Sequence, residues 1–221
     1  MKIISLTDIH GRIAVLSKME AIIRDADLVL VTGDITHFGH RDVAKQVLDT
    51  IREINPHVLA VSGNCDYQDI DDYLTVENLS IHGKGVVKDG IGIMGVGASL
   101  PTPFNTPNEM PEGDFETCLV QAKNDLPDST PFIMVSHQPP FETTTDKIST
   151  GVHVGSHTVR AFIDRFQPLV CFTGHIHESV GKDYIKDTVI LNPGPSGAGN
   201  YAYVELNNDR VGTADIRSIP V

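Results

Sequence analysis

The chain has 221 residues, 40% hydrophobic and 21% charged, a composition typical of a globular protein, and we expect one domain over residues 1–221. Its 17 basic and 29 acidic residues give a formal net charge of −12, which argues against stable binding to duplex nucleic acid. Without a long apolar run, a signal-peptide pattern or a Cys-x-x-Cys pair, the sequence predicts no membrane partner and a reducing, cytoplasmic location.

The first predicted strand, residues 3–6, ends on an acid and an imidazole, Asp8 and His10. Side chains alternate along an extended chain, so both groups can point the same way. Gly11 then lets the chain turn sharply. A carboxylate and an imidazole at the end of a buried strand are suitable ligands with which to begin a metal site.

Two further strands repeat this polar ending. Helical spacing of apolar residues over 16–23 precedes a strand over 27–31, which leads into Asp34. The same alternation then gives a helix over 43–54 and a strand over 57–62, and this third strand leads into Asn64. Strands that alternate with amphipathic helices predict a parallel sheet.

The second half of the chain begins with a different pattern. The elements we predict are a hairpin over 86–94, a helix over 115–126, a strand over 131–136, a helix over 156–166, a strand over 169–173, and short closing strands between 188 and 216. The strand over 131–136 is followed by His137, and the strand over 169–173 by His175 and His177. Two long loops, 100–113 and 138–155, are of the kind that lies over a site.

Seven candidate metal ligands therefore follow five predicted strands. They are Asp8, His10, Asp34, Asn64, His137, His175 and His177. The carboxyl ends of parallel strands lie along one edge of a sheet, so these residues can converge. Carboxylate, imidazole and amide ligands suit divalent first-row metals, with Mn favoured and Fe, Ni, Co or Zn as alternatives. Two such ions about 4 Å apart can share a hydroxide that attacks a phosphate ester.

Five motifs carry a resemblance to a known family. They are Asp8-x-His10, Gly33-Asp34, Gly63-Asn64-x-Asp66, Ser136-His137 and Gly174-His175-x-His177. In order and approximate spacing, over residues 2–195, they resemble the motifs of the calcineurin-like metallophosphoesterases. The resemblance implies an α/β fold, a four-layer α-β-β-α sandwich of two mixed sheets with the metal site at the strand carboxyl ends.

The resemblance also implies how the metal ligands divide. Asp8, His10, Asp34 and His177 would hold the first ion, and Asn64, His137 and His175 would complete the second, with Asp34 as the bridge. We take Asp34, Asn64 and His137 as the catalytic residues.

One position departs from the family pattern. Many members carry a His after the Asn of the third motif, whereas this chain has Cys65. A thiol is a poorer proton donor at neutral pH, and proton transfer is typically a 10²- to 10⁴-fold effect. Members with Gly-Asn-Cys-Asp resemble one another in preferring phosphodiesters, and the chain resembles a group of small prokaryotic phosphoesterases. We therefore predict a phosphodiesterase that acts on small-molecule phosphodiesters.

Two alternatives stay open at this point. One is a phosphomonoesterase that acts on nucleotides or phosphoproteins. The other is a non-catalytic scaffold of the same fold, such as the retromer subunit, although a scaffold need not retain all seven ligand types. The sequence leaves the physiological substrate, the metal used in the cell and the oligomeric state open.

Several other residues carry weaker signals. His37 follows Asp34 closely, but a surface-loop histidine is favoured over a phosphate contact. Phe38 and Phe104 lie on loops near the candidate ligands, where they either contact a substrate or pack at the core edge. Asn192 is expected to support the loops of the site through backbone hydrogen bonds.

Overall fold

Eleven β-strands form two mixed sheets in this computed structural model, which describes all 221 residues. The first sheet contains β1 (Lys2–Leu6), β2 (Leu28–Thr32), β3 (Val58–Val61), β10 (Asn200–Asn207) and β11 (Arg210–Ser218), in the order β11-β10-β1-β2-β3. The second contains β4 (Gly85–Lys88), β5 (Ile91–Val96), β6 (Phe132–Ser136), β7 (Val170–Phe172), β8 (Gly181–Ile185) and β9 (Thr188–Asn192), in the order β4-β5-β6-β7-β9-β8.

Six α-helices accompany the sheets. They are α1 (Ile13–Lys18), α2 (Glu20–Asp25), α3 (Arg41–Ile54), α4 (Gln68–Val76), α5 (Glu112–Asn124) and α6 (His157–Phe166). A short 3-10 turn covers Ser196–Ala198. None of the helices combines the length and the apolar character that crossing a lipid bilayer requires.

Three apolar clusters show that these elements form four layers. Along β2, Val29 and Val31 belong to a cluster with residues of α1 to α4, whereas Leu28 and Leu30 belong to a cluster that contains side chains of both sheets. A third cluster joins the second sheet to α5 and α6. Because neighbouring strand residues point to opposite faces, each sheet packs on helices with one face and on the other sheet with its second face. This confirms the predicted α-β-β-α sandwich of two mixed sheets.

Helix α3 corrects one detail of the sequence analysis. The apolar spacing over 43–54 places Val43 on the buried face of the predicted helix, but Val43 is 39% exposed in the structure. The buried face is formed by Ala44, Val47, Leu48 and Ile51. Their spacing is the i, i+3, i+4, i+7 pattern of a helix with one apolar stripe.

Two elements have no counterpart among the predicted ones. Helix α4 buries only Ile70, Tyr73 and Leu74, between acidic residues, and β8 lies at a sheet edge with Ile185 as its only buried residue. Short apolar patterns of this kind give a weak periodic signal. The single helix expected over 16–23 is divided at Met19 into α1 and α2.

The parallel pairing of strands determines where the candidate site lies. In the first sheet β1 pairs parallel with β2, and β2 with β3. In the second sheet β6 pairs parallel with β5 and with β7. The turns after β1, β2, β3, β6 and β7 carry the seven candidate ligands, so both sheets contribute to one site at their carboxyl ends.

Candidate metal centre

Three side chains form an outer group at the solvent side of the site: Asp8, His10 and His177. The Asp8 Oδ1 atom lies 3.0 Å from Nε2 of His177, and the Nε2 atoms of His177 and His10 are 3.4 Å apart. The side chain of Asp8 is 1% exposed, whereas that of His177 is 45% exposed. The outer group therefore combines a buried carboxylate with imidazoles that solvent reaches.

Asn64, His137 and His175 form an inner group. Nε2 of the fully buried His137 lies 3.1 Å from Oδ1 of Asn64. The His175 ring lies beside it, with 5.3 Å between the centroids of the His137 and His175 rings. The backbone N–H of His175 donates to Oδ2 of Asp8 over 3.3 Å, which connects the inner group to the outer one.

Asp34 lies between the two groups. Its Oδ1 atom is 3.5 Å from Nε2 of His137, and its Oδ2 atom is 3.9 Å from Nε2 of His10. Oδ1 also accepts a hydrogen bond of 2.8 Å from the backbone N–H of Cys65. The structure therefore brings all seven predicted residues together, with one carboxylate facing both groups.

Glycines permit this close approach of turns. A Cβ atom at Gly63 would lie 2.1 Å from Oδ1 of Asp34, and one at Gly174 would lie 2.0 Å from Oγ1 of Thr7. Such distances are far inside van der Waals contact, so no larger residue fits before Asn64 or His175 without moving the site.

Four of the seven residues have a left-handed backbone. The φ angles are 52° at Asp8, 51° at His10, 47° at Asp34 and 66° at His175. Each non-glycine residue in this region costs on the order of 1–3 kcal/mol. Strain of this kind persists where the surrounding structure enforces it, and it clusters at functional sites. The sequence contains no pattern that reveals these four turns in advance.

Backbone carbonyl groups orient two of the imidazoles. Nδ1 of His137 lies 2.8 Å from the carbonyl oxygen of Thr32, and Nδ1 of His10 lies 3.2 Å from that of Thr36. A carbonyl oxygen only accepts, so Nδ1 is the donor in both rings. In the neutral imidazole, Nε2 then keeps its lone pair for a metal ion.

The arrangement of acceptors fits a cation. In the inner group, the Nε2 lone pair of His137 faces Oδ1 of Asn64 at 3.1 Å and Oδ1 of Asp34 at 3.5 Å, so three acceptors point at one another. In the outer group, a carboxylate oxygen of Asp8 and one ring nitrogen each of His10 and His177 lie within 4.8 Å of one another. Carboxylate, imidazole and amide donors suit divalent first-row metals. The residues present therefore match the ions that the sequence analysis expects.

Protonation states favour ion binding at two of the ligands. Burial raises the pKa of Asp8, but the hydrogen bond with His177 and the charges of His137 and His177 outweigh it and hold that pKa well below its usual range. The same hydrogen bond raises the pKa of His177. Loss of solvent, together with the neighbouring His137, lowers the pKa of His175 to about 4. Asp8 is therefore ionised and His175 neutral at pH 7, the forms that bind a cation.

Asp66 and Cys65 belong to the turn after β3. The Asp66 carboxylate accepts hydrogen bonds from the backbone N–H groups of Gly63, Ile35 and Thr36, and so ties this turn to the turn after β2. Burial and the charge of Asp34 raise the pKa of Asp66 to about 7. Burial and, after it, the charge of Asp34 raise the pKa of the Cys65 thiol far above its usual range. The thiol therefore stays protonated.

Two supporting residues were not found from the sequence. Oγ1 of Thr7 donates to Oδ2 of Asp8 over 2.8 Å, and the backbone N–H of Thr7 donates to Oγ of Ser196 over 3.0 Å. Ser196 lies 189 positions further along the chain, so no local pattern links it to the site. Asn192 supports the loops as expected, since its Nδ2 donates to the carbonyl oxygen of Ile176 over 3.0 Å.

The weaker candidates are placed as follows. His37 and Phe38 lie beside the outer group, where the His37 ring meets the His10 ring edge-on with 5.2 Å between centroids. Phe38 is 46% exposed and Phe104 83% exposed, so neither packs at the core edge.

Comparison with known proteins identifies the family of the chain. Residues 1–179, which include all seven candidate ligands, match the sequence profile of the calcineurin-like phosphoesterases. An uncharacterized protein of Methanocaldococcus jannaschii is 37% identical over 205 residues, which cover 88% of each chain.

Solved structures share the fold. A crystal structure of a Thermus thermophilus protein covers 98% of both chains with a TM-score of 0.72 at 16% identity. The phosphopantetheinyl hydrolase of Mycobacterium tuberculosis has a TM-score of 0.60 at 15% identity, with 87% of this chain and 88% of that chain covered. At these identities the likeness concerns the fold alone. The profile match over residues 1–179 shows that this chain belongs to the calcineurin-like phosphoesterase family, a family of metal-dependent phosphoesterases.

Proposed function

We propose that this protein is a dinuclear metal-dependent phosphodiesterase that hydrolyses small phosphodiesters. The observation that carries the proposal is the position of Asp34, whose two carboxylate oxygens face His137 on one side and His10 on the other. A carboxylate between two sets of ligands is what a pair of cations with a shared ligand requires.

The outer group with Asp34 would hold one ion, and the inner group with Asp34 would hold the second. When bound, two divalent cations polarise the phosphate group and activate a water molecule for attack on phosphorus. Mn is the first metal to test, with Fe, Ni, Co and Zn as alternatives.

The chain's own residues preorganise the site. The carbonyl groups of Thr32 and Thr36 hold the imidazoles of His137 and His10 with Nε2 on the side of Asp34. The Thr7 hydroxyl and the His175 N–H both donate to Oδ2 of Asp8, which leaves Oδ1 directed at His177. Groups held in place before substrate binds do not have to reorganise during the reaction.

Charge fits the proposed diester. Together with one hydroxide, the carboxylates of Asp8 and Asp34 would leave a net charge of about +1 on a pair of divalent ions, which suits a singly charged phosphodiester and would hold a monoester as well. None of the seven candidate ligands forms a hydrogen bond or an ion pair with a Lys or Arg side chain, so no neighbouring cation offsets the negative charge of the two carboxylates.

The Cys65 position supports the same choice. Its thiol stays protonated and is only 8% exposed, so it is a weaker proton donor to a poor leaving group than an imidazole would be. Diesters with good leaving groups depend least on such a donor.

We also propose that residues 1–221 form one catalytic domain in the cytoplasm. Strand β10 pairs with β1 and so completes the sheet that carries Asp8. All three cysteines are free and buried, which is in keeping with a reducing compartment.

The test combines metal analysis with hydrolysis. Protein loaded with Mn²⁺ is expected to contain two ions per chain by elemental analysis and to hydrolyse a bis-aryl phosphate faster than an aryl monophosphate. The Asp34→Asn variant keeps the shape but removes the charge, and is expected to lose at least about 10³-fold in kcat/KM. Asp209→Asn, in the exposed turn before β11, is the matched control and should change nothing.

Each other outcome changes the proposal in a defined way. Full diesterase activity in Asp34→Asn contradicts it. A faster reaction with the monoester replaces it with the phosphomonoesterase alternative. One ion per chain contradicts a dinuclear centre, and stable protein that binds no metal and hydrolyses no ester supports the scaffold alternative.

A further inference from the structure

His37 is held beside the outer group. One of its ring nitrogens, a ring nitrogen of His10 and Sγ of Cys65 all lie within 4.8 Å of one another. The His37 ring meets the His10 ring edge-on, with centroids 5.2 Å apart, and lies against the Phe38 ring at 4.8 Å. The ring is therefore positioned on two sides by aromatic neighbours and faces the site on the third.

Three other histidines near the loops differ from His37 because their rings form hydrogen bonds. His40 interacts with Asp69 at 3.2 Å, and His153 interacts with Asp146 at 2.6 Å. Nδ1 of His10 donates to a carbonyl oxygen. These partners give each of the three rings a structural role. His37 forms no hydrogen bond within the chain, so both of its nitrogens remain available to a ligand.

Phe38 is unfavourable for folding on two counts. Its φ angle is 56°, a left-handed conformation that is strained for a bulky residue. Its side chain is nevertheless 46% exposed, so burial of the ring recovers only part of that cost. The backbone N–H of Phe38 donates to the carbonyl oxygen of Cys65, which keeps the ring at the mouth of the site.

We propose that His37 and Phe38 form a substrate-recognition rim for the outer group. This inference rests on the proposed function and adds a substrate class to it. A ring N–H of His37 donates to a phosphate oxygen, and the Phe38 ring packs against a planar aromatic ester group, either an aryl group or a nucleobase. The preferred substrate is then a phosphodiester with at least one planar aromatic substituent.

Equilibrium binding to the metal-loaded protein tests the rim without relying on turnover. Calorimetry with methyl phosphate, phenyl phosphate and a nucleoside 5′-monophosphate compares ligands that share a phosphate group and differ in the ester group. Wild-type protein is expected to bind phenyl phosphate about 5- to 10-fold more tightly than methyl phosphate, the size of one aromatic contact. Tighter binding of the nucleotide than of phenyl phosphate identifies the nucleobase as the aromatic group.

Single substitutions distinguish the contribution of His37 from that of Phe38. Phe38→Ala should reduce the preference for phenyl over methyl phosphate to less than about 2-fold, and Phe38→Leu should retain part of it. His37→Ala should weaken all three ligands about equally, by roughly 10-fold, whereas His37→Gln should recover part of the loss because its amide still donates. Tyr184→Ala, an exposed aromatic on β8, and His57→Ala, at the amino end of β3, are the controls and should bind as wild type.

Several results would overturn the rim. If Phe38→Ala keeps the phenyl preference, the aromatic contact is absent. If His37→Ala loses a metal ion by elemental analysis, His37 is a ligand rather than a substrate contact. If the wild type binds two ions and hydrolyses diesters, but every rim variant binds the three ligands as tightly as the wild type, the rim is contradicted and the proposed function is not. If the wild type hydrolyses no ester, the proposed function fails and the rim fails with it.

Discussion

His137 and His177 face one site from opposite sides, and the fold holds them in different ways. His137 is fully buried, its Nδ1 donates to Thr32, and its carbonyl oxygen accepts from the N–H of Gly174. His177 is 45% exposed, and its strong partner is Asp8. The inner group is therefore part of the core, whereas the exposed imidazole of the outer group is attached to its surface. Changes to the inner group should damage the fold and the chemistry together, and changes to the exposed His177 should damage the chemistry alone.

The largest expected effect on stability comes from His137→Ala. Removal of the ring leaves a cavity and a buried Thr32 carbonyl oxygen without its donor, so the free energy of unfolding should fall by about 3 kcal/mol. Urea denaturation of the metal-free protein measures this. A loss below about 0.5 kcal/mol, the usual limit for surface substitutions, would contradict the view that the inner group belongs to the core.

A change of pH should affect the metal-free protein next most strongly, through His175. Its folded-state pKa is about 4, below the ordinary value of 6.5, so between these values the unfolded chain binds more protons than the folded one. The contribution of His175 to stability should therefore be complete above pH 6.5 and fall by on the order of 2 kcal/mol as the pH drops towards 4. His175→Asn should flatten this part of the stability profile. An unchanged slope in that variant would assign the effect to other groups.

Gly63→Ala tests whether the approach of the turns is as tight as the distances indicate. Its Cβ would lie 2.1 Å from Oδ1 of Asp34, so we expect a loss of about 1–2 kcal/mol and weaker metal binding. Gly113→Ala is the matched control, because position 113 lies in helix α5 and a Cβ atom there meets nothing within 4 Å. That change should stabilise the protein by about 0.5–1 kcal/mol. If both variants were equally stable, the turn after β3 would have to shift and accommodate the added methyl group at little cost in free energy.

The smallest stability effect is expected for His177→Ala. The pair with Asp8 is half exposed, so metal-free protein should lose less than about 1 kcal/mol. Because the pKa of His177 is raised, its contribution is complete below pH 6.5 and disappears as the pH rises through the folded-state value. Urea denaturation at pH 6 and pH 9 should therefore show a larger difference from wild type at the lower pH. Metal analysis should show loss of the outer ion, and retention of both ions would argue against ligation by His177.

The strand ends were predictable from the sequence because the signal is local. Each apolar run, such as 27–31 before Asp34, marks a buried strand, and a parallel sheet gathers strand ends at one edge. The order of the five motifs then indicated the family. The four-layer fold followed from that resemblance rather than from periodicity, because no local pattern states which sheet a strand joins.

The remaining features depend on contacts that sequence patterns do not report. The orientation of His137 is set by the Thr32 carbonyl, a backbone atom 105 positions away. Thr7 depends on Ser196, which lies in a short turn at the far end of the chain. Val43 and Ala44 are adjacent and both apolar, and only packing against the sheet decides which of them is buried. Hydrophobic periodicity determines a helix face to within about one residue and no better.

The pairing of β1 with β10 has a consequence for how the protein matures. Lys2 aligns with Glu205 and Ser5 with Ala202, so one neighbour of β1 lies about 200 positions further along the chain, whereas the other, β2, lies only about 25 positions away. At about 5–20 residues per second, the synthesis of β1 and that of β10 are separated by on the order of ten seconds or more. The first sheet, and the hydrogen bond from Thr7 to Ser196 beside Asp8, can therefore form only after β10 and the turn before it have been made.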